Sequence, residues 1–221
     1  MIILVGSEKG GVGKSTLSTN FAVLLASLKK DVVIVDTDRQ STSANWAQYR
    51  EETEQPRIDC IRQYGNLTKT LESLNTRYNI VIVDCQGSIS KELQTGLLAA
   101  DIVIMPFRPS QWDLDTLPSM LEVIETAKNF NSKLNACAVM TMCPTNSRIG
   151  ELEEAREFFA AYPEVTLLKN VFFDRKVYRD AASSGLGAIE LNNDKATAEV
   201  HDVCKEIISI YLSKIEGNHG E

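Results

Sequence analysis

The sequence predicts an α/β protein: a doubly wound, mostly parallel sheet with helices on both faces. Three observations predict it. Short apolar runs recur at residues 2–5, 32–35, 58–61, 80–83, 102–106, 136–141 and 165–171. Segments of helical period lie between runs, and several runs stop on glycine or aspartate. Runs that are apolar throughout suit strands buried on both faces, and such strands need helices on both sides. In sheets of this kind ligands bind outside the carboxyl ends of the strands, where the first, second and fourth runs deliver a glycine loop, Asp36 and Asp84.

The first run leads into Lys9-Gly10-Gly11-Val12-Gly13-Lys14-Ser15-Thr16. Three glycines let consecutive backbone N–H groups turn inward around phosphate oxygens, and a helix beginning near Gly13 adds its positive end. Lys14 supplies a point charge for the outer phosphates, and the Ser15 hydroxyl is placed to ligate Mg²⁺. The alternative is a glycine-rich turn with a solvated Lys9; a strand before the loop and a helix after it favour the phosphate site. Leu17, Phe21, Leu24, Leu25 and Leu28 set the period of that helix.

The second run ends in Asp36 and Asp38, alternate positions whose side chains leave a strand on the same side. Two acids on one face are costly without a cation. Asp36 is therefore expected in the Mg²⁺ shell and Asp38 beside the attacking water, the alternative being a helix cap and a turn residue. The fourth run delivers Asp84, a Walker B acid that holds Mg²⁺ through water. Gly87, just beyond, is placed to bring its N–H to a γ-phosphate and act as a switch.

Later in the chain Leu117, Leu121, Ile124 and Ala127 with Lys128 keep helical spacing, as do Ile149, Leu152, Ala155, Phe158 and Phe159. Residues 196–215 carry Val200, Val203, Ile207, Ile208 and Tyr211 at the same period and read as a terminal helix on the sheet.

Composition bounds the rest. The 221 residues fit one domain, 1–221, with 43% hydrophobic and 24% charged residues. The apolar runs are too short to span a bilayer, and Glu8 and Lys9 interrupt anything resembling a signal peptide, so the expected location is the cytoplasm. Five cysteines, an odd number without a C-x-x-C pair, read as small buried residues rather than a metal–thiolate site. A net charge of −7 argues against a generally basic nucleic-acid binder but leaves room for a local basic face, doubled in a dimer.

The spelling K-G-G-x-G-K-S-T, with Glu8 where an ordinary P-loop has its first glycine, resembles the deviant Walker A motif of the ParA/MinD ATPases. Asp36-Thr37-Asp38-Arg39-Gln40 with Ser41 and Trp46 is similar to that family's switch I. The segment Pro106 through Leu114 resembles its P-x-x-P-S stretch near the dimer interface, and Phe173-Asp174-Arg175 through Tyr178, Ala181 and Gly185 to Glu190 its late R-x-x-[YF]-x-x-A block. Three departures stand out: Arg39 for the usual proline, Glu8, and Cys85-Gln86-Gly87 for a Pro- or Gly-rich switch II.

The resemblance implies a P-loop NTPase of SIMIBI-like fold that binds ATP and Mg²⁺, with Lys9 reaching across a nucleotide-sandwich homodimer as an arginine finger would. Lys9, Lys14 and Asp38 are then the catalytic group. Closest in pattern are small plasmid-type partition ATPases without an N-terminal DNA-binding extension. In these an ATP-bound dimer coats nucleoid DNA without sequence preference, and a small centromere-binding adaptor protein stimulates hydrolysis. Arg175, Lys176, Arg179, Lys205 and Lys214 are the candidate phosphate contacts, solvated helix faces being the alternative. A MinD-like membrane-associated or other cargo-positioning ATPase is the alternative function. No membrane contact is expected, because Glu199, Asp202, Glu206 and Glu216 offset Lys205 and Lys214 in the tail. Ligases related to dethiobiotin synthetase share the fold but not the Lys9 spelling.

Overall fold

A computed structural model describes residues 1–145 and 150–217. Ile149 lies outside the described residues, as do the side chains of Leu152 and Lys214. The described strands are β1 (Ile2–Ser7), β2 (Val32–Asp36), β3 (Asp59–Arg62), β4 (Ile80–Gly87), β5 (Ile102–Phe107), β6 (Asn135–Met140) and β7 (Thr166–Leu167). They form one sheet in the order β3-β2-β4-β1-β5-β6-β7, and every pairing is parallel.

The helices are α1 (Lys14–Ser27), α2 (Thr42–Glu51), α3 (Thr68–Asn75), α4 (Lys91–Leu97), α5 (Gln111–Leu114), α6 (Leu117–Lys128), α7 (Gly150–Ala160), α8 (Lys176–Ser183) and α9 (Asp194–Gly217). Alternation along each strand divides the core into two layers. Ile3, Val5, Ile34 and Ile82 pack with Leu17 and Phe21 of α1, Trp46 of α2, Tyr178 of α8 and Val200 of α9. Ile2, Leu4, Val35 and Val83 pack on the other face with Leu71 of α3, Leu93 of α4, Ile124 of α6 and Phe159 of α7. The sheet is thus doubly wound, as expected. Fully apolar strands follow from the two-sided burial.

Two expectations need correction. The strand expected over 165–171 pairs only at Thr166–Leu167, because the backbone amides of Lys169 and Asn170 turn to the Glu206 carboxylate on α9 instead of the ladder. Leu28 lies past the end of α1 and is 58% exposed, since the chain turns at Lys29 with φ +61°.

Helix α2 is fastened at its far end. Trp46 Nε1 donates to the Leu186 carbonyl at 3.0 Å, and the buried Arg50 donates to the Glu190 carboxylate and to the carbonyls of Gly185 and Pro56. Gly185 has φ +67° and lies so close that a Cβ there would fall 2.2 Å from the Arg50 nitrogen. Both the conformation and the contact require glycine. None of the five cysteines is joined in a disulfide; Cys60 is half-buried and the others are buried.

Candidate functional site

The carboxyl end of β1 runs into a loop whose Gly11 and Gly13 adopt φ +71° and +88°, a conformation that L side chains resist. Helix α1 then begins at Lys14 with no side-chain cap and no acid in its first turn, so its first amides remain open to an anion. They face a cavity of about 530 Å³ lined by Gly10, Gly11, Gly13, Lys14, Ser15 and Thr16 on one side and by Asp38, Gln40, Thr42, Gln86, Gly87 and Ser88 on the other. Val12 is buried beneath the loop, and its carbonyl accepts a hydrogen bond from Thr141 Oγ1 at 2.8 Å, which anchors the cradle to the end of β6.

Lys14 is folded back into the loop, donating to the Lys9 carbonyl at 2.7 Å and to Ser7 Oγ at 3.2 Å. Burial lowers its pKa, opposed by the nearby charge of Asp84. Gly87 presses on the loop from β4: a Cβ there would stand 2.6 Å from Gly10 N and 2.8 Å from Lys9 C. The segment expected to act as a switch therefore touches the cradle backbone directly.

The three aspartates occupy different environments. Asp84 is buried; its Oδ2 accepts from Ser43 Oγ at 2.6 Å and its Oδ1 has no hydrogen-bond partner. Desolvation pushes its carboxyl up to about 6, while the hydroxyls of Ser43 and Ser15 pull it down. A desolvated carboxylate with a free oxygen beside a P-loop hydroxyl fits a divalent cation. Among the described residues no three His, Cys, Asp or Glu side chains gather to hold a metal by themselves.

Asp36 stands otherwise than the shared-face expectation put it. Its Oδ1 accepts the Asp38 amide at 2.9 Å and its Oδ2 the Ala44 amide at 2.8 Å, and burial raises its pKa. It caps the start of α2 from the strand end and does not line the cavity. The Ser41 side chain makes no cap bond there, and Ser41 sits at φ +55°. Asp38 does line the cavity, positioned by the Gln40 amide on its Oδ1 at 2.9 Å. The alternate spacing of the two acids therefore separates them, because β2 ends at Asp36 and the chain bends immediately after it.

Lys9 does not line the cavity. Its Nζ donates to Asp113 Oδ1 and to the Trp112 carbonyl, both at 2.8 Å, on the outer side of the loop. The other oxygen of Asp113 accepts the Arg108 amide at 2.9 Å, and the Arg108 guanidinium donates to the Gly11 carbonyl. Trp112 is 80% exposed next to this cluster.

A second, smaller cavity shares Gly13, Thr16 and Met142 with the cradle and extends between Phe172, Phe173 and Tyr178. The expected DNA contacts differ among themselves. Arg175 is held by Glu199 at 2.6 Å, and that carboxylate also accepts from Tyr178 Oη and the Phe173 amide. Lys176 and Arg179 pair with Asp180 and Asp174 on the exposed face of α8, and Lys205 is exposed on α9. Sequence reasoning missed Thr42, Ser43, Ser88 and Met142, and named Gln86 only within the switch II stretch. The run Ser41-Thr42-Ser43, three hydroxyls set two residues beyond Asp38, was the available signal for the first two.

Comparison with known proteins agrees with this geometry. Residues 3–186 match the CobQ/CobB/MinD/ParA nucleotide binding domain. The chain is 26% identical over 212 residues to the maintenance of carboxysome distribution protein A of Halothiobacillus neapolitanus, covering 93% of this chain and 95% of that protein. It is 24% identical over 214 residues to the chromosome partitioning protein ParA of Myxococcus xanthus, covering 77% of this chain and 76% of the other. The septum site-determining protein MinD of Pyrococcus horikoshii, solved with Mg-ADP, superposes with a TM-score of 0.69 at 18% identity, over 93% of this chain and 95% of that one. The match along residues 3–186, on a sheet that places the glycine loop, Asp38 and Asp84 at one edge, means that the chain belongs to the CobQ/CobB/MinD/ParA nucleotide-binding family, whose ParA/MinD members are ATPases.

Proposed function

We propose that the chain is a partition-type ATPase whose ATP-bound form is a sandwich homodimer. The observation that carries this reading is the direction of Lys9, whose ammonium lies outside its own cradle while Lys14 is retained within it. A P-loop cation with no place at its own phosphates is suited to a partner's. In this reading the loop amides and Lys14 bind the phosphates, and Ser15 with Asp84 holds Mg²⁺, Asp36 serving that shell from behind by fixing α2. Asp38 orients water, Gly87 senses the γ-phosphate, and the Met142 cavity receives the base. Bound Mg²⁺ supplies positive charge against the phosphate oxygens.

The dimer then binds DNA without sequence preference, and an adaptor protein bound to the cargo stimulates hydrolysis. Lys176, Arg179 and Lys205 are the contacts of choice. Exposed ion pairs of the Lys176 and Arg179 kind contribute little and exchange readily for phosphate. Arg175 is committed to Glu199 and serves the fold. The cargo is a replicon or, as the carboxysome-distribution relative favours, another large body placed along a cytoplasmic nucleoid.

Sedimentation with ATP and Mg²⁺ against ADP, followed by binding to random-sequence DNA across a salt series, tests the reading. ATP-dependent dimers that bind DNA are expected. A monomer in both states would refute the dimer, and ATP-dependent pelleting with anionic liposomes in place of DNA binding would move the chain to the membrane-positioning class.

A further inference from the structure

We propose that Asp113 is the positioning residue for Lys9, holding the ammonium on its own subunit and thereby setting the protein concentration at which two ATP-bound subunits associate. This rests on the sandwich-dimer reading above. The contacts form a closed circuit between the glycine loop and the segment after β5. Lys9 spends two of its three N–H donors on Asp113 Oδ1 and the Trp112 carbonyl, each at 2.8 Å. Asp113 is 5% exposed and aims its second oxygen at the Arg108 amide at 2.9 Å, so its carboxylate cannot swing away without losing that bond. Arg108 closes the circuit by donating to the Gly11 carbonyl.

The carboxylate is firmly seated, whereas the lysine is not: the Lys9 side chain is 37% exposed against 7% for Asp113. That asymmetry makes Lys9 the partner that leaves. To meet phosphate oxygens on a second subunit its ammonium must abandon both acceptors, so the cis contact competes with the trans one. A half-exposed ion pair is worth a small factor, about threefold. Each dimer releases two such lysines, so the two factors compound to about tenfold in the association constant.

Asp113→Asn tests this, because the amide oxygen still accepts from Arg108 while the charge facing Lys9 is gone. Two measurements on the full chain decide it. In the nucleotide-free protein, acylation of Lys9 by an amine-reactive ester, read by mass spectrometry against the exposed Lys29 and Lys69, should be slow in the wild type and several-fold faster in Asp113→Asn. Asp113→Glu, which keeps the charge, should stay near the wild type. With ATP and Mg²⁺, in an Asp38→Ala background that limits turnover, the concentration for half-dimerisation should fall about tenfold in Asp113→Asn. Should this variant melt well below the wild type, Asp113→Ser, whose hydroxyl accepts from Arg108, takes its place in both assays.

Equal Lys9 reactivity in the wild type and the charge-free variant overturns the proposal, as does unchanged or weaker dimerisation. A wild type that stays monomeric with ATP instead refutes the dimer and with it the threshold. The acylation rates then still decide whether Asp113 holds Lys9.

Discussion

Replacing Asp84 by asparagine should stabilise the empty chain while abolishing its response to Mg²⁺. The carboxyl is wholly buried in the sheet centre, and desolvation carries it from an ordinary 3.8 to about 6. A folded-state pKa above the unfolded one means that the folded chain holds the proton more tightly. Relative to a group that never ionises, the carboxyl is therefore neutral to folding below about pH 4, costs progressively more between 4 and 6, and above 6 costs a constant amount. At 1.36 kcal/mol per tenfold the cost is about 3 kcal/mol. Asparagine has nearly the same shape and removes it, less about 1 kcal/mol for a weaker bond from Ser43.

The nucleotide-free variant should thus exceed the wild type by about 2 kcal/mol in urea unfolding at pH 8, and the two should converge towards pH 4.5. Stabilisation by Mg²⁺ with ATP should be absent in the variant, and in the wild type should fade as pH drops through 6, where protons compete for the same oxygen. An asparagine variant less stable than the wild type at pH 8, or a gap that ignores pH, would refute the reasoning.

Asp38→Ala should keep ATP binding and lose turnover by about two orders of magnitude, the size typical of a lost water-orienting group; near-normal phosphate release moves the role elsewhere. Lys9→Ala alone should retain nucleotide but neither dimerise nor hydrolyse, and mixing it with Asp38→Ala should restore some turnover, because one composite site regains both groups. No rescue in confirmed mixed dimers counts against action across the interface. Gly87→Ala should weaken nucleotide binding by about tenfold or more, since the new methyl meets Gly10 and Lys9 backbone at under 3 Å and the cradle must spread. Unchanged affinity by calorimetry would show that β4 yields without disturbing the loop.

The layered fold was legible because burial on both faces leaves a plain mark, unbroken apolar runs spaced by helices. The glycine loop was legible because left-handed glycines before a Lys-Ser pair have few other uses. Helices α2, α3, α4 and α8 were not read from period: the first two of these bury only a few apolar side chains, and α2 is held by Trp46 and Arg50 through polar contacts remote in sequence. The division of labour between Asp36 and Asp38 escaped for a different reason. Strand alternation fails one residue after β2 ends, and nothing local announces where a strand ends. The partner of Lys9 lies 104 residues away in the chain, beyond any periodic signal.

The fastening of α2 at both ends has a mechanical consequence. Its first turn is tied to the strand ends through Ala44 on Asp36 and Ser43 on Asp84, and its last turn is bolted through Arg50 to the 185–190 segment. The helix is a strut, with little freedom to melt. Motion of the Asp38 loop must be taken up in residues 37–41, where Ser41 already sits in a left-handed conformation and can serve as the pivot. Amides of residues 44–50 should therefore keep one level of exchange protection with ATP and with ADP while those of 38–41 change. Melting of the helix in either state would show that the strut breaks before the pivot turns.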